Sequence, residues 1–401
     1  MVARLFAMWK EAVTAFFLLM FSSLATFCVS VGNIDKEVRY GNQEGEQVTM
    51  PDQRRWAIGI ATSTSIVGLT VTGSLALLAH LFVNEFSRPH TPLQDIDLTW
   101  GMPESSGEPP ASLQHSLLFQ TSDGTLLCGE FWAQLRPAPT IVLCHGYRIS
   151  RTHLRPVAEL QYACGYNVFF FDFRGHGDSD SVLTSAGNAE VLDLEAALFA
   201  ASQQPETLPG KMIIHGFSMG ASVALLTPPH PDVVAIIADS PYARSDDIMR
   251  RAIHHRLVKI SHQWLPLFQP LRLLFPAITW STATLCTIDF RLRFGFSMVA
   301  RPVASFKRWR ARSKQTLPQQ AIPILLIHSA DDTLIPIEHA HQIAAEARAH
   351  DVTLETYFVE QVNHCGAYGY HPLRYTSVVH RFLSRHLRDD IPEQQDQLKV
   401  S

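Results

Sequence analysis

Short apolar strands separated by helices constrain the fold of this chain more than any other feature. From residue 140 onward the strand-like runs are "TIVLCHG" (140–146), "YNVFFFDFRG" (166–175), "KMIIHG" (211–216), "VVAIIADS" (233–240), "IPILLIHS" (322–329) and "VTLETYFVE" (352–360). Between two of them, Val191, Leu194 and Leu198 repeat at helical spacing. Apolar strands that alternate with amphipathic helices predict an α/β fold, in which helices cover both faces of a mostly parallel central sheet.

Further elements flank these strands. The run "SLLFQTSDGTLLCGEFWA", which starts at Ser116, predicts a β-hairpin with Asp123-Gly124 as its turn. A long insertion follows the sixth strand, counted from this hairpin. Helices are predicted over 153–165, 187–204, 337–350 and 372–387.

Two long uncharged runs precede the predicted sheet. Residues 12–31 carry no charged side chain, and residues 56–84 carry none apart from His80. Each run reaches the length of about 20 residues that spans a bilayer. We therefore expect two N-terminal transmembrane helices, about 12–31 and 57–83. A signal peptide is the alternative for the first run, although no clean A-x-A cleavage site follows it.

The predicted spans make the chain an integral membrane protein. Charged residues make up only 17% of it, below the usual quarter, which agrees with a membrane component. Two spans would place residues 85–401 on the same side as the N-terminus. The loop 32–55 and the N-terminal flank differ too little in basic residues to assign that side.

The stretch "MIIHGFSMGAS" contains Gly216-Phe217-Ser218-Met219-Gly220, a G-x-S-x-G pattern. A predicted strand precedes it, and Met219 begins a predicted helix. In a nucleophile elbow, small residues on both sides of the serine allow the tight turn that exposes its hydroxyl. Gly216 and Gly220 meet that need. The alternative is a glycine-rich turn in which the serine only caps the helix.

A nucleophilic serine needs a base and a group that orients the base. Asp332 follows one later strand and His364 follows the next. The order Ser218, Asp332, His364 is the order in which strand–turn–helix hydrolases carry their triads. Asp331, the neighbour of Asp332, and Asp239, which follows the sixth strand, are the alternative acids.

An acyl-transfer site also needs hydrogen-bond donors for the oxyanion. The amide of Met219, directly after the serine, is one candidate, and the amide of Tyr147 in the turn "CHGYR" is the second. We expect His145 to brace this turn by hydrogen bonding. Arg148 either helps to bind a negatively charged group or is simply solvated.

Together these motifs resemble the α/β-hydrolase superfamily, over about residues 114–388. The matching stretches are "IVLCHGY", "FFFDFRGHGDSDS", "IIHGFSMGAS", "ILLIHSADDTLIP" and "VNHCG". With "ADSPYARSDD", they are similar to the esterase, monoacylglycerol-lipase and serine-peptidase-like members. The resemblance implies that Asp172, Arg174 and His176 support a loop structurally. The chain departs from the pattern of many relatives at Ser329 and Cys365, and neither departure removes a catalytic group.

The insertion after the sixth strand is expected to form a cap. Its segment 264–288 is strongly apolar, and its segment 290–314 is basic without an acidic residue. This combination fits contact with anionic lipid, or an ordinary lid over the core. A third transmembrane pass is the remaining alternative, which Pro266, Pro270 and Pro276 disfavour. The predicted boundaries are an anchor (1–84), a linker (85–113), a catalytic domain (114–390) with its cap (243–320), and a polar tail (391–401).

The sequence therefore predicts a membrane-anchored serine hydrolase that cleaves an ester-type acyl bond of a hydrophobic or lipid-like substrate. Thioesterase or peptidase activity on the same triad, or a non-catalytic binding module, are the alternatives. The six cysteines are scattered without C-x-x-C, so neither a metal site nor an organic cofactor is expected. A nucleic-acid partner is not expected, since the basic run is not part of a recognised nucleic-acid-binding module. Oligomeric state and substrate-binding residues are not specified.

Overall fold

The computed structural model describes residues 53–89, 109–264, 272–309 and 322–387. The predicted span 12–31 and the tail 391–401 lie outside the described residues. The chain divides into two compact units. One consists of residues 1–85 and 250–293, and the other of residues 86–249 and 294–401.

The second unit contains an eight-stranded sheet in the order β1-β2-β4-β3-β5-β6-β7-β8. The pairs β1–β2 and β2–β4 are antiparallel, and all other neighbours are parallel. This confirms the mostly parallel sheet. The strands are β1 Gln114–Gln120, β2 Leu126–Trp132, β3 Ala138–Cys144, β4 Asn167–Phe171, β5 Thr207–Phe217, β6 Val233–Asp239, β7 Ile324–Ser329 and β8 Leu354–Val359.

Helices lie on both faces of this sheet because its strands are apolar on both sides. In β4, Phe169 and Phe171 belong to one buried cluster, and Val168 and Phe170 belong to another. The first cluster also contains residues of the helices that follow β4, β5 and β7, and the second contains residues of the helices after β3 and β8. Side chains that alternate along each strand thus build two cores from one sheet.

Each helix that the sequence predicts between residues 153 and 387 has a counterpart in the structure, which also has helices at Ser245–Trp264, Phe275–Phe294 and Ala367–Tyr370. The helix at 372–387 has the predicted bounds. The hairpin prediction is also confirmed, although its loop spans Thr121–Thr125 instead of two residues. The helices are α1 Gln53–Phe86, α2 Arg155–Ala163, α3 Glu190–Ser202, α4 Met219–Leu226, α5 Ser245–Trp264, α6 Phe275–Phe294, α7 Glu338–Ala349, α8 Ala367–Tyr370 and α9 Pro372–Leu387.

Helices α5 and α6 lie in the insertion between β6 and β7, where the cap is expected. In the first unit, α6 packs against α1. The Cys286 thiol lies 3.7 Å from the carbonyl oxygen of Ala79, and Arg293 donates a hydrogen bond of 2.7 Å to Asn84. Both nitrogens of the Arg256 guanidinium lie 2.6 Å from carboxylate oxygens of Glu85.

Two described helices are long and apolar enough to cross a membrane, at Gly68–Phe86 and Arg272–Phe294. The first includes much of the predicted span 57–83. The second lies in the cap, where a third pass is one of the alternatives. Spans and core helices of soluble proteins share this length and composition, so the criterion alone does not separate them.

The register of the parallel strands brings their carboxyl ends together. Gly216 pairs with Cys144 on one side and with Ala238 on the other, and Phe217 pairs with Asp239. The polar residues that follow β5, β6 and β7 therefore emerge at one edge of the sheet. In open α/β sheets this edge is where ligands bind.

Candidate active site

Ser218 stands in a strained backbone conformation between β5 and α4. Its φ is 53° and its ψ is −112°, outside the regions that L-residues ordinarily occupy. Phe217 ends the strand and Met219 begins the helix, so the serine forms the whole turn. Residues in such conformations cluster at active sites, where the surrounding structure holds them.

The two glycines of the motif are required by packing. A Cβ atom on Gly216 would lie 2.5 Å from the backbone of Gly220, and one on Gly220 would overlap the carbonyl oxygen of Cys144. The first turn of α4 therefore packs directly on the ends of β3 and β5. This close approach is the structural reason for the small residues on both sides of the serine.

Ser218, His364 and Asp332 form a continuous hydrogen-bonded chain. The Nε2 atom of His364 lies 2.8 Å from the Ser218 Oγ, and its Nδ1 lies 2.7 Å from an Asp332 carboxylate oxygen. A proton on Nδ1 that is donated to Asp332 leaves the Nε2 lone pair facing the serine hydroxyl. The structure thus brings together the three residues that the sequence predicts as a triad.

Asp332 is fixed by the turn in which it lies. Its second carboxylate oxygen accepts the N–H groups of Leu334 and Ile335, at 2.9 and 2.8 Å. The adjacent Asp331 instead accepts the N–H of Gln361, at 2.7 Å, in the loop that carries the histidine. Of the two neighbouring acids, Asp332 is therefore the one that contacts His364.

Asp239, the other alternative acid, is held by a separate group of residues. Its backbone carbonyl accepts the N–H of Ser218 at 2.8 Å. Its carboxylate accepts the hydroxyl groups of Ser240 and Tyr375, at 2.9 and 3.0 Å. Burial raises the pKa of Asp239 to about 6. Within the described residues its carboxylate makes no hydrogen bond to His364.

The hydrogen bonds around Asp239 continue to both sides. The Nε2 of His215 lies 2.9 Å from the Tyr375 hydroxyl, and the N–H of Cys365 donates to the Ser240 Oγ at 3.2 Å. Burial lowers the pKa of His215 to about 3, so this imidazole is neutral. The sequence analysis identified neither Ser240 nor Tyr375 as part of the site. Ser240 directly follows Asp239, whereas nothing local marks Tyr375.

The environment of His364 favours its protonated form. Burial lowers its pKa, but the adjacent Cys365 and the hydrogen-bonded Asp332 outweigh burial and raise it. The Cys365 sulfur lies 3.6 Å from Nε2 of His364, farther than the Ser218 hydroxyl. Burial raises the pKa of the Cys365 thiol, and the neighbouring His364 opposes this shift.

The turn after β3, with the predicted oxyanion donor Tyr147, lies beside the serine. A Cβ atom on Gly146 would lie 3.4 Å from the Ser218 Cβ. Met219, the second predicted donor, opens α4, where the first N–H groups of a helix have no intrahelical partner. Both predicted donors are therefore on segments that adjoin Ser218.

His145 braces this turn as the sequence analysis expects. Its Nδ1 lies 2.7 Å from the carbonyl oxygen of Gly146, and its Nε2 accepts the N–H of Phe173 at 3.0 Å. Burial, together with the neighbouring His176, lowers the pKa of His145 to about 3. The imidazole is thus neutral, with both nitrogens engaged.

The loop "DFRGHG" has structural contacts, in line with the resemblance. Arg174 donates to Asp193 and Asp123, at 2.8 and 2.7 Å. Asp172 accepts the side chain and the N–H of Arg151. The Nε2 of His176 accepts the N–H of Arg148 at 3.1 Å, so this loop contacts the turn that carries Tyr147.

No group of three or more His, Cys, Asp or Glu side chains that could hold a metal ion occurs in the described ranges. The cysteines described there are free thiols.

The sheet and the positions of these side chains define an α/β-hydrolase. A family model described as serine aminopeptidase, S33, matches residues 136–364, which is more than half of the chain. The chain therefore belongs to this family of hydrolases.

Individual relatives share part of the sequence. The chain is 27% identical to protein YqkD of Bacillus subtilis over 252 residues, which cover 61% of this chain and 70% of YqkD. It is 26% identical to Rv2307c of Mycobacterium tuberculosis over 179 residues, or 44% of this chain and 59% of that protein. It is 29% identical to protein bem46 of Schizosaccharomyces pombe over 114 residues, or 28% of this chain and 38% of bem46.

Among solved structures, the chain is similar to the esterase Pf2001 of Pyrococcus furiosus. Two crystal forms of that esterase give TM-scores of 0.53 and 0.51 at 23% identity. The first covers 75% of this chain and 98% of the esterase, and the second covers 71% and 97%. At this identity the likeness shows a shared fold.

Proposed function

We propose that this protein is a membrane-anchored serine hydrolase that cleaves an ester-type acyl bond of a hydrophobic substrate. The observation that carries the proposal is the hydrogen-bonded chain from Ser218 through His364 to Asp332. In this arrangement a base can remove the serine proton, and an acid holds the base in the required tautomer.

In the proposed reaction, the Ser218 Oγ attacks the acyl carbonyl carbon while its proton passes to Nε2 of His364. The tetrahedral intermediate collapses to an acyl-enzyme, and His364 returns the proton to the leaving alcohol. Water then attacks the acyl-enzyme and gives a proton to His364. The second intermediate collapses, His364 returns this proton to the Ser218 Oγ, and the carboxylic acid is released. Asp332 stabilises the imidazolium at each stage.

The amides of Tyr147 and Met219 would donate to the oxyanion of both intermediates. Support comes from the position of their segments, on either side of Ser218. Removal of one such donor typically costs about 10²–10³ in kcat, because the negative charge develops in a site that excludes water.

Thioesterase and peptidase activities use the same triad, and the family description is that of a peptidase. The shared fold with an esterase and the apolar cap favour an ester. A non-catalytic binding module is a second class of function. The strained Ser218 and its hydrogen bond to His364 argue against it, since a binding module has no need of either.

We expect a fluorophosphonate probe to label the wild-type protein and not Ser218→Ala, because only an activated serine hydroxyl attacks the phosphorus centre. Mass spectrometry of the labelled peptide checks the position. Ser222→Ala is a matched control, since Ser222 is on the same helix and does not bond to His364 in the described structure. Absence of labelling in folded wild-type protein would rule out the serine hydrolase.

We expect Asp332→Asn to lower kcat by about 10⁴-fold, because the histidine loses its tautomer. Because the pKa of His364 is raised, we expect kcat/KM of the wild type to decrease as the pH falls, with a midpoint above the ordinary histidine pKa of about 6.5. A general base must be neutral, and Asp332→Asn removes a carboxylate that raises the pKa of His364. The acidic limb of the Asp332→Asn profile should therefore lie at lower pH than that of the wild type.

The matched control for the acid is Asp239→Asn, which alters a carboxylate equally buried at the same sheet edge. We expect its kcat to stay within about tenfold of the wild type, since it does not orient the histidine. A larger loss in Asp239→Asn than in Asp332→Asn, at equal amounts of folded protein, would reverse the assignment of the acid.

Helix α6 supports the choice of a hydrophobic substrate. Its residues Phe275, Ile278, Cys286 and Phe290 are buried. Trp280, Ile288 and Leu292 are exposed by 63%, 49% and 81%. An apolar surface in the cap of a hydrolase fits acyl chains or lipid better than a polar substrate.

We expect kcat/KM for p-nitrophenyl esters to rise with acyl length from acetate to octanoate. Each buried methylene contributes about 0.8 kcal/mol, or roughly fourfold. Steady-state kinetics below the solubility limit of each ester measure this series, with p-nitroanilides as the amide comparison. A flat series would argue against a hydrophobic acyl site, and faster cleavage of anilides would favour the peptidase.

The anchor is supported by the length and composition of α1. Its 34 residues make a helix of about 51 Å, which exceeds the hydrocarbon thickness of about 30 Å. One part of α1 can therefore span a bilayer while its end, at Glu85, pairs with Arg256. The basic segment of the cap would add attraction to anionic lipid.

We expect the full-length protein to stay in the membrane pellet after alkaline carbonate extraction, because a spanning helix resists loss of electrostatic attraction. Deletion of residues 1–84 should move the labelled hydrolase into the soluble fraction. Release of the full-length protein by carbonate would contradict a spanning anchor and leave only peripheral attachment.

A further inference from the structure

The last residue of α1 and the three residues after it pack within the second unit. The Pro, Ser and Gly content of residues 85–113 predicts a linker from residue 85. Instead, Phe86 packs against the apolar core, and Ser87 and Pro89 are buried. The carbonyl oxygen of Ser87 accepts the N–H of Thr184 at 3.1 Å. These four residues, Phe86–Pro89, are called the clasp below.

The clasp contacts the turn that carries the predicted oxyanion donor. The rings of Phe86 and Tyr147 stack, with centroids 5.0 Å apart and planes inclined by 26°. The Tyr147 hydroxyl donates to the carbonyl oxygen of Phe86 at 2.6 Å. Both the ring and the hydroxyl of Tyr147 are thus engaged by one residue of the clasp, 61 positions earlier in the chain.

The clasp also reaches the loop that supports this turn from the other side. Pro89 lies against Gly175, since a Cβ atom on that glycine would be 3.4 Å from two Pro89 ring atoms. The next residue, His176, presents its ring edge to Tyr147 at a centroid distance of 6.0 Å. His176 also accepts the N–H of Arg148, which stands at a φ of 63°. Tyr147 therefore lies between Phe86 and His176.

From these contacts we propose that Phe86 is a positioning residue for the oxyanion turn, and that the clasp is part of the active-site scaffold. This rests on the proposed serine hydrolase function. The direction of the Tyr147 N–H depends on the orientation of the peptide planes in the turn. Contacts that hold the Tyr147 side chain and the adjacent residues fix that orientation. His145 fixes the turn before Tyr147 and His176 fixes it after, and Phe86 fixes Tyr147 itself.

The proposal has a kinetic signature that a purely structural role lacks. A displaced oxyanion donor weakens the transition state without changing ground-state binding, so kcat falls while KM is nearly unchanged. The number of reactive serines also stays the same, because Ser218, His364 and Asp332 are untouched. Fewer active sites with normal turnover per site would instead mean partial unfolding.

The test uses full-length protein in detergent, with active sites counted by titration with a fluorophosphonate. We expect Phe86→Ala to lower kcat per titrated site by about 10- to 100-fold for a p-nitrophenyl ester, less than the 10²–10³ for outright loss of a donor. Phe86→Tyr keeps the ring and should retain most of the activity. Tyr147→Phe removes only the hydroxyl bond to the clasp and should lower kcat per site by a smaller factor.

The matched control is Phe119→Ala. Phe119 is likewise partly buried against the same core, but it lies on the edge strand β1, and its ring packs on Phe169 and Phe171 at 5.6 and 6.0 Å. We expect it to reduce stability without changing kcat per site. An equal loss of kcat per site in Phe119→Ala overturns the proposal, as does a normal kcat per site in Phe86→Ala.

Failure of the broader function gives a different result. If folded wild-type protein neither reacts with the fluorophosphonate nor hydrolyses esters, the proposed serine hydrolase function is refuted, and the proposed role of the clasp is refuted with it. If the wild type is active and Phe86→Ala has the same kcat per titrated site, the proposed hydrolase function stands and only the proposed role of the clasp is refuted.

Discussion

The close packing of α4 on the ends of β3 and β5 is the constraint on which the rest of the site depends. A serine at a φ of 53° is unfavourable by about 1–3 kcal/mol and persists only where its surroundings fix it. Here the Asp239 carbonyl accepts the Ser218 N–H at 2.8 Å, and the Ser218 carbonyl accepts the N–H of Ser222 at 3.0 Å. Gly220 lets the helix come this close to Cys144. The three strand ends must therefore align before the serine can point out of the sheet.

Two buried carboxylates lie near this serine, and their partners explain why they differ. Asp332 accepts two backbone amides with one oxygen and leaves the other to the histidine. Asp239 uses both oxygens on hydroxyl groups, which hold Tyr375 of α9 and Ser240. Within the described residues, only the Asp332 carboxylate of these two is hydrogen-bonded to His364, so Asp332 is the acid that orients the imidazole. Through Ser240, however, Asp239 still fixes the backbone of Cys365 next to His364.

Much of this arrangement follows from local sequence. Continuous apolar strands predict the sheet, and the order of polar residues at strand ends predicts which of them meet, because parallel strands end at one edge. Ser218, Asp332 and His364 each have a signal within a few residues. The choice between Asp331 and Asp332 has none, since both follow the same strand and only the course of the turn separates them.

The contacts that sequence reasoning missed are long-range. Tyr375 meets Asp239 across 136 positions, and Phe86 meets Tyr147 across 61. A Pro, Ser and Gly content typical of linkers describes residues 85–113 as a whole. It does not reveal that their first residues have buried partners elsewhere. Composition averages over a segment, whereas packing is decided residue by residue.

The two sides of Ser218 are thus held by distant parts of the chain. On the histidine side, Ser240 and Tyr375 support the loop of His364. On the oxyanion side, His176 and the clasp support the turn of Tyr147. Acyl transfer is sensitive to displacements of about 1 Å at either side, so both supports must be stiff at the same time. Neither contains the features that would select a substrate. Helix α1 ends at Phe86, so this long apolar helix is continuous in sequence with one of the two supports.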